Sequence, residues 1–169
     1  MIKILAIGNS FSQDSTSLLQ LLTDKIMVRN LYIPGCSLDM HTTNIENDSA
    51  EYELQENGEK MQNTFVSIKE ALTSDKWDYV TVQQVSGRSG IYDSFYPYLD
   101  ELLKYVRELS DAEIVLHETW SYEIGSGHPD FGKYNFDREQ MALAIKETYE
   151  KVSVKENLRI IRVGEAVQR

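Results

Sequence analysis

A chain of 169 residues is the length of one domain with a real core, and 41% apolar with 26% charged residues is an ordinary globular composition, not a disordered one. The formal net charge of −10 gives a surface that repels phosphate backbones, which argues against a nucleic-acid partner. The single cysteine, Cys36, excludes an internal disulfide and any multi-cysteine zinc site, and no apolar run is long enough to cross a bilayer.

The first strand is predicted from Ile2 to Ile7, because its apolar residues run on instead of alternating, as in a parallel strand buried on both faces. No charged leader precedes it, so a cytoplasmic location is the default expectation; a mature or engineered start would fit a secreted or periplasmic protein equally. The strand breaks at Gly8, and Asn9-Ser10-Phe11-Ser12 opens a helix predicted to continue to about Val28. Leu31-Tyr32-Ile33 is a short second strand, stopped by Pro34-Gly35. Residues from Thr42 to Asn63 are polar and weakly patterned, which predicts a long loop, and loops of that length are often functional. Thr64 to Leu72 carries a helix face of Phe65, Ile68, Ala71 and Leu72. Trp77 to Val82 is a third strand, ending in Gln83-Gln84-Val85-Ser86-Gly87. Tyr96 to Leu109 is a helix with Pro97 in its first turn and Leu99, Leu102, Leu103 and Val106 on one face. Glu113 to Leu116 is a fourth strand, ending in His117-Glu118-Thr119-Trp120. A Gly- and Tyr-rich loop from Ser121 to Asn135, a helix from Asp137 to Val152 and a fifth strand from Leu158 to Val163 complete the chain.

Strands alternating with helices imply an α/β domain: a five-stranded parallel sheet in a three-layer, flavodoxin-like α/β/α arrangement. Right-handed crossovers then bring every strand end to one edge. Gly8 to Ser10, Gly35 to Ser37, Gln83 to Ser86 and His117 to Trp120 each follow a strand, so they are expected to converge there. A serine at a strand–turn–helix junction has two readings. Ser10 or Ser12 caps the helix, or a hydroxyl there attacks a carbonyl when a base and oxyanion donors are supplied.

These four segments, in this order, resemble the SGNH (GDSL-type) hydrolase superfamily, and more narrowly its bacterial branch of unknown function, with Gly8-Asn9-Ser10 standing where other members have Gly-Asp-Ser. The resemblance covers nearly the whole chain. It implies that Ser10 is the nucleophile and that the N–H groups of Ser10 and Gly35 are oxyanion donors. It further implies a side-chain amide as third donor; this chain lacks the usual Gly-x-Asn-Asp and offers Gln83, which directly ends the strand, or Gln84. The activity implied is hydrolysis of a small acyl ester, such as an acetyl group on a carbohydrate, with no cofactor. The superfamily's base, a His in an Asp-x-x-His motif after the last strand, has no counterpart up to Arg169. A chain that stops before its catalytic segment, a binding domain without turnover, and another histidine in the role are the three explanations. His117 is the best placed of the available histidines; His128 and His41 are the others, each with a structural role as its plain alternative. His117 and Glu118, adjacent on a strand, must face opposite ways. Trp120, Tyr92, Tyr96, Tyr98, Tyr122 and Tyr134 are either an aromatic wall for a sugar or packing. A flavodoxin-like phosphate site is the least favoured reading, because no Gly-rich loop with a nearby lysine is present. Scattered acidic residues such as Asp14, Asp39 and Asp48 make no metal site, and Glu46 to Glu59 reads as a solvated loop. Oligomeric state is not legible.

Overall fold

Near-continuous apolar runs become parallel strands, and five of them form the centre of the fold. A computed structural model describes residues 1–167. Strand β1 (Ile2–Gly8) pairs in parallel with β2 (Ile26–Tyr32) on one side and β5 (Tyr79–Val82) on the other. Strands β6 (Glu113–His117) and β7 (Arg159–Ile161) extend the parallel array beyond β5. Outside β2 an antiparallel hairpin of β3 (Tyr52–Glu56) and β4 (Glu59–Val66) completes a seven-stranded sheet of order β4-β3-β2-β1-β5-β6-β7. The five parallel strands expected from the sequence are therefore present, in a larger mixed sheet.

The hairpin lies in the segment read as a loop, and so does part of helix α3 (Leu38–Glu46). Their sequences are too polar to announce themselves: every residue of β4 from Glu59 to Asn63 is exposed. The first crossover also differs from expectation. Helix α1 stops at Thr16 (Ser10–Thr16), a single turn α2 (Leu19–Leu22) follows, and the chain is back in strand by Ile26. Likewise Thr64 to Val66 belong to β4, and helix α4 starts only at Ile68 (Ile68–Thr73), behind the Ser67–Glu70 capping box. Helices α5 (Tyr98–Leu109) and α6 (Arg138–Glu156) occupy the later crossovers, and α7 (Val163–Val167) follows β7.

Alternation along the strands gives the sheet two unlike faces. Leu5, Ile7, Val80, Val82, Ile114 and Leu116 point into the main core, with Leu102, Leu103 and Val106 of α5 and Ile145, Tyr149 and Val152 of α6. The opposite face carries α1, whose Ser12 reaches Asn30 of β2. Elsewhere on that face Ile2, Ile4, Ile26, Tyr79, Val115 and Ile161 line a shallow hollow of about 300 Å³.

Candidate active site

Each segment singled out in the sequence leaves the carboxyl end of a strand, and one buried side chain joins three of them. Asn9 is the N-cap of α1: its Oδ1 accepts from the Phe11 N–H at 3.0 Å. The same oxygen accepts from Gln83 Nε2 at 2.6 Å, and Asn9 Nδ2 donates to the Cys36 carbonyl at 2.9 Å. Asn9 therefore fixes the start of α1 against the end of β5 and against the turn after β2. Ser10 and Gly35 are the chain neighbours of two of these atoms, so both are brought to the same rim.

Neither serine is the cap. Ser10 is the first residue of α1 and is exposed, and its hydroxyl has no hydrogen-bond partner among the described residues. Its N–H is one of the donors a helix start leaves free. Ser12 is buried and spends its hydroxyl on the Asn9 carbonyl and Asn30 Oδ1, at 2.9 and 2.7 Å, so it is a structural link. It also explains Gly8: a Cβ there would sit 2.3 Å from Ser12 Oγ and 3.0 Å from Gln83 Oε1.

Gly35 adopts φ +63° in the turn closed by the Cys36 N–H to Ile33 carbonyl bond of 3.2 Å, a conformation that favours glycine. Nothing lies within 4 Å of where its Cβ would be, so the turn opens to solvent.

The two glutamines have different surroundings. Gln84 is fully committed: Oε1 accepts from Leu38 N–H and Val85 N–H at 3.1 and 2.8 Å, and Nε2 donates to the Ser94 carbonyl at 2.8 Å. It pins the start of α3 to the segment after β5. Gln83 uses one amide hydrogen on Asn9, keeps the second, and leaves Oε1 buried without a partner.

No histidine meets Ser10. His117 lies at the end of β6, but its Nε2 contacts Ser15 Oγ at 2.9 Å, farther along α1. It is 4% exposed, and burial pushes its pKa down to about 4, so the ring is neutral. Glu118 faces the other way, as alternation demands, and accepts from the Glu165 N–H at 3.2 Å; burial raises its pKa. His41 is sealed behind the Gly35 turn, with Nδ1 2.8 Å from Tyr52 Oη and 3.5 Å from Cys36 Sγ. Burial holds its pKa at about 4 and pushes the Cys36 thiol up to about 12, so the sulfur is unreactive. His128 is exposed and caps its own turn, accepting from the Asp130 N–H.

Of the aromatic residues, Trp120 is on the rim, its ring 4.2 Å from that of Phe11. Tyr122 stacks on His128. Tyr134 is buried and donates to the Gly87 carbonyl. Tyr96 turns instead to the end of α6, bonding Glu156 beneath Lys155, with Tyr92 beside it. Among the described residues no group of acidic, His and Cys side chains is arranged to hold a metal ion, and no helix is long and apolar enough to cross a membrane.

Sequence reasoning missed the role of Asn9. Its signal was available: an Asn just before a helix is a cap, and a strand end is a place where a cap is buried.

The family profile described as "Domain of unknown function (DUF4886)" matches residues 3–169. The chain belongs to the DUF4886 family. A crystal structure of a DUF4886 family protein from Bacteroides uniformis is 37% identical, with a TM-score of 0.93 over 99% of this chain and 69% of that one. A protein from Slackia heliotrinireducens assigned to the SGNH hydrolases is 20% identical, TM-score 0.66, over 99% of this chain and 82% of that one. Axe2, an acetylxylan esterase from Geobacillus stearothermophilus, is 13% identical, TM-score 0.53, over 98% of this chain and 77% of that one. A search of curated protein sequences finds no match. This DUF4886 member thus has the SGNH hydrolase fold, the α/β arrangement anticipated from its strand ends.

Proposed function

We propose that the protein is a serine esterase acting on a small acyl ester, with Ser10 as nucleophile. The observation that carries the reading is the Asn9 carboxamide. It draws together an unpartnered serine hydroxyl, an open glycine turn and a glutamine amide with a hydrogen to spare. Ser10 Oγ attacks the ester carbonyl carbon and its proton passes to a base. The oxyanion accepts from the N–H groups of Ser10 and Gly35 and from Gln83 Nε2, donors already fixed before charge develops. Collapse expels the alcohol, leaves an acyl group on Ser10, and water then releases the acid. Gln83 suits the donor role better than Gln84, whose amide is spent on Ser94. His117 does not suit the base role, because its ring nitrogen is turned to Ser15. Among the described residues no histidine bonds the Ser10 hydroxyl. That the neighbouring folds include an acetylxylan esterase supports an acetyl ester of a carbohydrate as substrate.

A second reading, binding without turnover, is favoured by one observation: no histidine lies against the Ser10 hydroxyl. A fluorophosphonate probe and p-nitrophenyl acetate separate the two. The esterase reading expects an adduct on Ser10 that Ser10→Ala abolishes, and an imidazole-dependent hydrolysis above the imidazole blank that is also lost in Ser10→Ala. Unlabelled Ser10 with no hydrolysis above that blank leaves the binding reading.

A further inference from the structure

We propose that the rim beside Ser10 binds an extended, uncharged glycan, the carrier of the ester, along a track of aromatic rings ending at Phe136. The track is placed by the Ser10 reading, and its chemistry stands on separate observations.

It starts at Phe11, the residue after Ser10, whose ring meets Trp120 at 4.2 Å. Ser86, buried beneath this pair, donates its Oγ to the Trp120 carbonyl at 3.0 Å, and Tyr122 follows two residues after Trp120. Tyr122 stacks on His128 at 4.5 Å and meets Phe131 edge-on at 5.7 Å, and Phe131 meets Phe136 at 5.8 Å. Of these rings only Phe131 is fully buried. It anchors the others from below, while Phe11, Trp120, Tyr122, His128 and Phe136 keep surface in solvent.

The outer end is the informative one. Phe136 is 62% exposed, so burial does not explain the residue. It also sits at φ +55°, directly after Asn135 at φ +56°. Asn adopts this region readily, but a bulky phenylalanine there is strained. The fold keeps that strain and holds an aromatic ring out in water. The Phe136 ring packs on Phe131 and over Gly132 on one side and leaves the other side in water, where a ligand can meet it. An open hollow of about 570 Å³ adjoins the ring, with Ile124, 83% exposed, on its wall.

Outward aromatic faces flanked by amide and hydroxyl groups suit a molecule with apolar ring faces and polar edges, which is the chemistry of a sugar. A track of several rings exceeds what one acyl group needs. Charge selects the kind of glycan. Arg88 is held by Asp39 at 2.8 Å and Lys133 by Asp130 at 2.6 Å, and Arg138 is flanked by Asp137 and Glu139. With a net charge of −10 behind it, this rim repels polyuronates and sulfated chains.

The experiment is a titration of the intact protein with xylohexaose, cellohexaose, mannohexaose and hexagalacturonate, followed by tryptophan emission and calorimetry. Trp120 is the rim reporter, since Trp77 is buried. The proposal expects at least one neutral hexaose to bind, hexagalacturonate to bind at least tenfold more weakly, and Phe136→Ala to raise the hexaose Kd at least fivefold. Phe136→Gly, which accepts the left-handed backbone, must show the same loss with its melting temperature retained. Absence of binding by all three neutral hexaoses, equal binding of hexagalacturonate, or unchanged affinity in both folded variants overturns it. The readout is binding, so it stands or falls separately from the labelling of Ser10.

Discussion

Asn9→Ala is the most direct test of how the rim is assembled. The substitution removes three hydrogen bonds from a side chain that is 1% exposed. Loss of the cap on α1 costs about 1 kcal/mol. The Gln83 amide and the Cys36 carbonyl then lose buried partners, at about 1–3 kcal/mol each. The expected total is about 3–7 kcal/mol, against a domain stability of about 5–15 kcal/mol. With a urea slope of about 2 kcal/mol/M, the unfolding midpoint falls by roughly 1.5–3.5 M. Asn9→Ser keeps a capping oxygen and loses the two longer-range bonds, so it recovers only about 1 kcal/mol of the loss. Equilibrium urea unfolding by circular dichroism measures both. An Asn9→Ala loss of about 1 kcal/mol, fully restored in Asn9→Ser, would refute the reasoning, because it would reduce Asn9 to a helix cap.

The two glutamines are expected to separate stability from activity. Gln84→Leu, which strands Leu38 N–H, Val85 N–H and the Ser94 carbonyl, lowers the urea midpoint more than Gln83→Leu does. Gln83→Leu instead lowers ester hydrolysis by about 10²–10³, the usual cost of one oxyanion donor. Gly8→Ala drives a Cβ to 2.3 Å from Ser12 Oγ and is expected to lower both the melting temperature and Ser10 labelling. His41 and His117 give a pH signature in urea midpoints. Both have folded pKa values of about 4, below the ordinary histidine value, so the unfolded chain binds more protons between the two. Their stabilisation is present above the unfolded value of about 6.5 and lost as pH falls towards 4, with a slope of up to about 1.4 kcal/mol per pH unit for each ring. The combined variant His41→Phe/His117→Phe flattens that slope.

What the sequence reveals follows physical strength of signal. Strands such as Leu5 to Ile7 and Val80 to Val82 are wholly buried, and an unbroken apolar run is the plain mark of that burial. Their ends follow from topology, which is why Ser10, Gly35 and Gln83 were legible as neighbours. Helix α3 and the hairpin were not, because their buried residues are few and half of them polar: Leu38, His41 and Thr42 in one, Tyr52, Leu54 and Gln55 in the other. Nor was the partner of His117, since a residue's place on a strand says nothing about which turn of a crossing helix it meets. Phe136 was not singled out, because its conformation is set by the turn that follows Phe131, not by its own type.

The hairpin has a bearing on the rim that its distance conceals. Tyr52, wholly buried on β3, accepts from Asn44 and bonds His41, and so braces α3 and the Gly35 turn from behind. Trimming the sheet to its five parallel members, as a designer seeking a minimal scaffold would, removes that buttress. The Gly35 turn would then be free to drift.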